Sequence, residues 1–144
     1  MVTFNINNKN NIPPLINNML VNIKKYKYHI FIGEIGAGKT TIIKFILNCL
    51  KIDMNIVTSP TYNYIKIFNQ KQKKFAHVDL YRVNTYEHAL EIIRSEEATL
   101  YFIEWGAILI NNTEFYETIN NKLTIWNINM NTNQRLLNTY PILI

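Results

Sequence analysis

The sequence predicts an α/β fold carrying a β-hairpin insertion, and three observations predict it. A short apolar, β-rich run, Tyr28 to Ile32, stops at a glycine-rich string, after which helical periodicity takes over at Thr40. Two further β-rich runs, Tyr62 to Phe68 and Phe75 to Leu80, are separated by the polar segment "NQKQKK" and read as a hairpin. A last run, Leu100 to Ile103, is apolar almost without interruption and ends in Glu104, as suits a strand covered on both faces. The chain has 144 residues and 48% hydrophobic content, the size of one compact domain, read as residues 1–144.

The remaining elements follow from spacing. From Ile12, the residues Leu15, Ile16, Met19, Leu20 and Ile23 recur at helical intervals, with Pro13 and Pro14 tolerable in the first turn and Lys24 and Lys25 at the end. Ile43, Ile46, Leu47 and Leu50 form the apolar face of a helix over 40–50. Ile56 and Val57 predict a brief strand before the "TSPTY" turn. Asn84 with Glu87 three residues on predicts a helix start, with Tyr86, Ala89, Leu90 and Ile93 on its apolar face. A short helix over 114–121, a strand over 123–130 and a hairpin partner over 135–140 across "NTNQ" complete the chain.

A net charge of +5 and a pI near 9.3 suit work near RNA or phosphates, and equally suit the lysine supply of an AT-rich genome. Only Arg82, Arg94 and Arg135 are guanidinium groups, few for a module that reads bases. Cys49 is the sole cysteine, so an internal disulfide and a multi-cysteine metal site are excluded, and a reducing, cytoplasmic setting fits. No uncharged apolar run approaches the ~20 residues that span a bilayer, and no membrane role is expected.

The string "FIGEIGAGKTT" carries the chemistry. It places Gly33, four residues, then Gly38, Lys39 and Thr40, between a strand and a helix, which is the context a phosphate-binding loop requires. Gly33, Gly36 and Gly38 let the backbone turn its N–H groups around phosphates, and Ala37 adds no bulk. Lys39 supplies charge to the β- and γ-phosphates, and the Thr40 hydroxyl is placed to ligate Mg²⁺. A carboxylate ending a buried strand should complete such a site, and Glu104 is the candidate. Asp79 in "HVDLYR" either reaches the metal shell or an attacking water, or pairs with Arg82. Thr61 in "SPTY" either senses the γ-phosphate or belongs to a plain turn. Trp105 packs on the nucleotide or fills the core; His29, His77 and His88 read as structural.

Taken together, "GEIGAGKTT", "SPTY", "HVDLYR" and "FIEWG", in this order, resemble the TsaE family, the small ATPase of bacterial tRNA threonylcarbamoyladenosine synthesis. The resemblance implies a P-loop NTPase-like α/β fold with a mixed β-sheet flanked by helices. It implies ATP and Mg²⁺ as cofactors, hydrolysis that is weak alone, and partnership with TsaB and TsaD, of which TsaD transfers the threonylcarbamoyl group and tRNA is reached only through the complex. Carried over by residue, Gly33, Glu34, Gly36, Ala37, Gly38, Lys39, Thr40 and Thr41 hold the nucleotide. Thr40 and Glu104 hold Mg²⁺, Lys39, Glu104, Asp79 and Thr61 serve catalysis, and Trp105 and Arg135 lie near the nucleotide. Gly106 departs from the usual proline, Gln134 from the usual glycine before the late arginine, and "INNKNNI" from the usual Thr/Glu-rich entry segment. Two rivals use the same loop: a small-molecule kinase, for which the Arg-poor sequence after Arg94 offers no lid, and a nucleotide-gated binding module without significant hydrolysis. No Asn-Lys-x-Asp string is present to read guanine.

Overall fold

The computed structural model describes residues 3–5, 12–119, 123–131 and 134–141, and of residues 3–5, 12 and 130 onward the backbone alone. In chain order the elements are β1 (Thr3–Asn5), α1 (Ile12–Lys25), β2 (Tyr28–Gly33), α2 (Lys39–Cys49), a 3₁₀ turn (Met54–Ile56), β3 (Ile65–Gln70), β4 (Lys73–Asp79), α3 (Tyr86–Arg94), β5 (Leu100–Glu104), α4 (Ala107–Ile110), α5 (Thr113–Ile119), β6 (Leu123–Asn131) and β7 (Gln134–Pro141).

The strands form one seven-stranded sheet in the order β1-β7-β6-β2-β5-β4-β3. The four inner neighbours β6, β2, β5 and β4 run parallel, whereas the outer pairs β1–β7, β6–β7 and β3–β4 are antiparallel, so the sheet is mixed. Strand side chains alternate between the two faces. Phe31, Phe102 and Trp126 pack under α1 and α2 with Leu15, Met19, Ile43, Ile46 and Leu47. Ile30, Val78 and Ile103 point the other way, against Leu90 and Ile93 of α3, Leu109 of α4 and Phe115 of α5. Because both faces are covered, β2 and β5 read as continuous apolar runs with no polar alternation. Each fully buried side chain of this kind contributes about 1.5–3 kcal/mol.

Several details differ from the sequence expectation. Ile56 and Val57 form no strand; the Asp53 carboxylate accepts a hydrogen bond from the Asn55 N–H at 2.9 Å and closes a 3₁₀ turn instead. The hairpin loop is tighter than "NQKQKK", because Asn69 pairs with Lys74 and Gln70 with Lys73, leaving Lys71 and Gln72 to turn, with Lys71 at φ 54. β3 opens only at Ile65, because the Asn63 N–H closes a turn on the Pro60 carbonyl at 3.0 Å. The cap of α3 is Thr85, whose hydroxyl accepts from the His88 N–H at 3.3 Å, so Asn84 stays outside the helix. β1 and α4 have no counterpart in the sequence reading, being too short to show periodicity.

His29 on β2 is fully buried, its ring stacked between Phe102 and Trp126 at centroid distances of 5.5 and 6.3 Å. Nε2 donates to the Tyr26 carbonyl at 2.9 Å and Nδ1 accepts from the Trp126 indole N–H at 3.4 Å, so the neutral ring uses both nitrogens. Burial lowers the pKa from 6.5 to about 4. The unfolded chain takes up this proton at higher pH than the native chain. Stability from this residue is therefore complete above pH 6.5 and is lost as pH falls through about 4, a change of roughly 3 kcal/mol. Urea midpoints measured down to about pH 4 should drop accordingly, and the drop should shrink in His29→Gln.

Candidate functional site

The loop over 33–38 joins the carboxyl end of β2 to the amino end of α2. At Gly33 a Cβ would stand 2.6 Å from the Ile128 carbonyl oxygen, and Gly36 and Gly38 adopt φ 76 and 102. Gly38 caps α2 without a side-chain hydrogen bond, which leaves the first-turn N–H groups of the helix to a ligand and its positive end facing the loop. Ala37 is fully buried beneath the turn.

Lys39 lies across this loop, only 4% exposed. Its Nζ donates to the Gly33 and Glu34 carbonyls, each at 2.7 Å, and stands 3.6 Å from the centre of the Trp105 ring. Burial pulls its pKa below the ordinary lysine value, against the opposing pull of the Glu104 and Asp79 charges. Trp105 holds a positive φ of 63, its N–H on the Phe31 carbonyl at 3.1 Å and its ring 5.0 Å from that of Tyr81.

Glu104 ends β5 beside Phe31 of β2 and Asp79 of β4. Its Oε1 accepts from the Thr40 hydroxyl at 2.7 Å and from His77 Nε2 at 2.8 Å. His77 Nδ1 is buried without a partner among the described residues, which costs about 1–3 kcal/mol. Asp79 Oδ2 accepts from the Ser59 and Thr61 hydroxyls at 2.5 and 2.6 Å, and its Oδ1 from the Tyr81 N–H at 3.0 Å. Arg82 makes no pair with this carboxylate; its guanidinium lies 4.6 Å over the Tyr62 ring.

A cleft of about 650 Å³ opens between these groups. Of the residues expected at a site, Gly36, Gly38, Lys39, Thr40, Thr41, Thr61, Asp79, Glu104 and Trp105 line it together, over 70 positions of sequence. Gly33 and Ala37 shape the loop behind it, and Glu34 contributes its carbonyl while its carboxylate points to solvent. Arg135 sits on β7 opposite Met130, and its side chain lies outside the described residues. Ile35 and Tyr81 also line the cleft without any signal in spacing; the tight turn at 80–83 brings Tyr81 there. Among the described residues no cluster of three or more His, Cys, Asp or Glu side chains is placed to hold a metal by itself. No described helix is long and apolar enough to cross a membrane.

A phosphate loop at the end of a central parallel strand, with carboxylates at the same ends of the next two strands on one side of it, defines a P-loop ATPase-like protein. Comparison with known proteins narrows the class. The profile described as "Threonylcarbamoyl adenosine biosynthesis protein TsaE" matches residues 6–137, and the chain belongs to the TsaE family. It is 33% identical over 90 residues to the tRNA threonylcarbamoyladenosine biosynthesis protein TsaE of Borreliella burgdorferi, covering 59% of this chain and 64% of that protein. Against the protein of the same name from Aquifex aeolicus it is 36% identical over 58 residues, 40% of this chain and 44% of the relative. Against that of Rickettsia prowazekii the figures are 33% over 92 residues, 61% and 62%. The chain thus spans less than two thirds of the length of these relatives. The crystal structure of Bacillus subtilis YdiB shares the fold, with a TM-score of 0.67 at 20% identity over 98% of this chain and 86% of that one.

The Asp79 carboxylate is what ties the 59–61 turn to the sheet. Asp79→Ala removes three hydrogen bonds, two of them to the 59–61 turn, at about 1.5–3 kcal/mol each. Amide exchange of Asn63, whose N–H is bonded to the Pro60 carbonyl, should accelerate at least about tenfold, whereas that of Ile30 and Phe102 in the sheet interior should hold.

Proposed function

We propose that this chain, taken as one ATPase domain over residues 1–144, binds ATP with Mg²⁺ and hydrolyses it in support of threonylcarbamoyladenosine formation in tRNA. It works in the cytoplasm on an assembly of TsaB and TsaD, meets tRNA through that assembly, and leaves the threonylcarbamoyl transfer to TsaD. The observation that carries this reading is the convergence of Lys39, Thr40, Glu104 and Asp79 on one cleft at the carboxyl ends of three adjacent parallel strands.

The donor set fits a hard divalent cation. The Thr40 hydroxyl and the Glu104 carboxylate are oxygen ligands already 2.7 Å apart, and Mg²⁺ characteristically takes one or two protein oxygens beside phosphate and water. Bound with ATP, the ion would neutralise charge developing on the transferring phosphoryl group. The chain's own groups do the rest. The loop N–H groups and the end of α2 grip the phosphates, and Lys39 exchanges its two carbonyl acceptors for phosphate oxygens. Trp105 lies flat against the Lys39 ammonium and shields it from water. Asp79 and Thr61 stand opposite the loop, where a water attacking the terminal phosphate has to be oriented. In the present arrangement both Asp79 oxygens are taken by Ser59, Thr61 and Tyr81, which fits weak turnover by the chain alone and a partner that shifts the 59–61 turn.

Phosphate release from ATP, measured alone and with TsaB and TsaD, should rise when the partners are added. Lys39→Ala and Glu104→Ala should each lower it by about a hundredfold or more. Full activity in both variants would overturn the site. Partner binding that depends on nucleotide without hydrolysis above background would instead leave a nucleotide-gated binding module.

A further inference from the structure

His77 takes no part in the scheme above, yet its single polar engagement among the described residues is with Glu104, at 2.8 Å. The ring is fully buried on β4, in register with Phe102, between Ala76 and Val78 of the same strand. Its other nitrogen has no partner among the described residues. Packing alone would favour an apolar side chain here, which would fill the same space and strand no polar atom. What the imidazole gains over such a residue is the bond to Oε1 of Glu104.

The arrangement around that oxygen is asymmetric. Thr40 reaches it from α2, on the cleft side, through a hydroxyl that also faces the ligand; His77 reaches it from β4 and does not line the cleft. The Thr40 bond must therefore share its oxygen with whatever binds, whereas the His77 bond is available whether the cleft is empty or full. Among the described residues no donor engages Oε2, and Glu104 lines the cleft.

We propose that His77 is a positioning residue for Glu104: by holding Oε1 from the neighbouring strand β4, behind the cleft, it fixes the carboxylate so that Oε2 is presented to a divalent cation bound with the nucleotide. The inference rests on the reading of the cleft as a Mg²⁺–nucleotide site. An oriented ligand needs no reorganisation when the ion arrives, and loss of such outer hydrogen bonds typically weakens metal binding by about 10–100-fold.

The test is the Mg²⁺ dependence of binding of a fluorescent ATP analogue carrying a methylanthraniloyl ribose, with thermal unfolding measured in parallel. In His77→Leu the Mg²⁺ midpoint should rise by about 10–100-fold, while analogue binding in excess EDTA stays as in the natural sequence. His77→Gln, whose amide nitrogen can donate to Oε1, should return the midpoint most of the way. An unchanged midpoint in His77→Leu overturns the proposal, and so does an equal rise in both variants, which would reduce His77 to packing. Absence of any Mg²⁺ dependence in the natural sequence overturns the nucleotide-site reading itself, and this inference with it.

Discussion

The register of the parallel strands is the constraint on which the cleft depends. β2 sets Phe31 beside Glu104 of β5, and β5 sets Glu104 beside Asp79 of β4, so the loop and both acids end at one level. A slip of one residue in either pairing would turn the acid to the opposite face of the sheet, into the apolar layer of α3 to α5. That register is held by the two cores, which grip alternate residues of the same strands: Phe31 and Phe102 from one side, Ile30 and Ile103 from the other. The apolar packing thus specifies where the charges stand.

The charges in turn weigh on the fold. Lys39, Asp79 and Glu104 are each no more than 4% exposed, and burial of an ionised group is unfavourable unless hydrogen bonds compensate. Here each charge is engaged by the protein: the ammonium by two carbonyls and an indole face, Glu104 by Thr40 and His77, Asp79 by two hydroxyls and an N–H. A phosphate approaching Lys39 would compete with its two carbonyl acceptors. The side-chain charges are thus compensated within the protein, while the first-turn N–H groups of α2 and Oε2 of Glu104 have no side-chain partner among the described residues.

The strand, loop and helix from Tyr28 to Leu50 and the buried strand ending in Glu104 were legible in the sequence because their signals are local: a fixed spacing of glycine and lysine, or an unbroken apolar run. The grouping of Asp79 with Thr61 was not. Sequence spacing left Arg82 as an equal partner for that acid, and only the turn after Pro60 and the pairing of β4 decide in favour of the hydroxyls. The failed strand at Ile56 has the opposite cause, a local one: a single Asp53 side chain offers the backbone a better arrangement than an unpaired strand. His77 read as structural because a lone histidine in a β run carries no spacing signal. Its contact with Glu104 exists only across two paired strands, 27 residues apart in sequence.

Gly106, where the sequence departs from the proline that the resemblance led to expect, caps α4 directly after the Trp105 turn. A Cβ at this position would stand 2.5 Å from Cγ2 of Ile30, a branched, fully buried side chain on the central strand with little freedom to rotate away. The two positions are thus epistatic. Placing a proline at 106 in this chain is not a neutral single step, because it becomes tolerable only once residue 30 has been trimmed or the strand's neighbours have given way. The residue tolerated at 106 is thus tied to the side chain that the central strand carries beneath it.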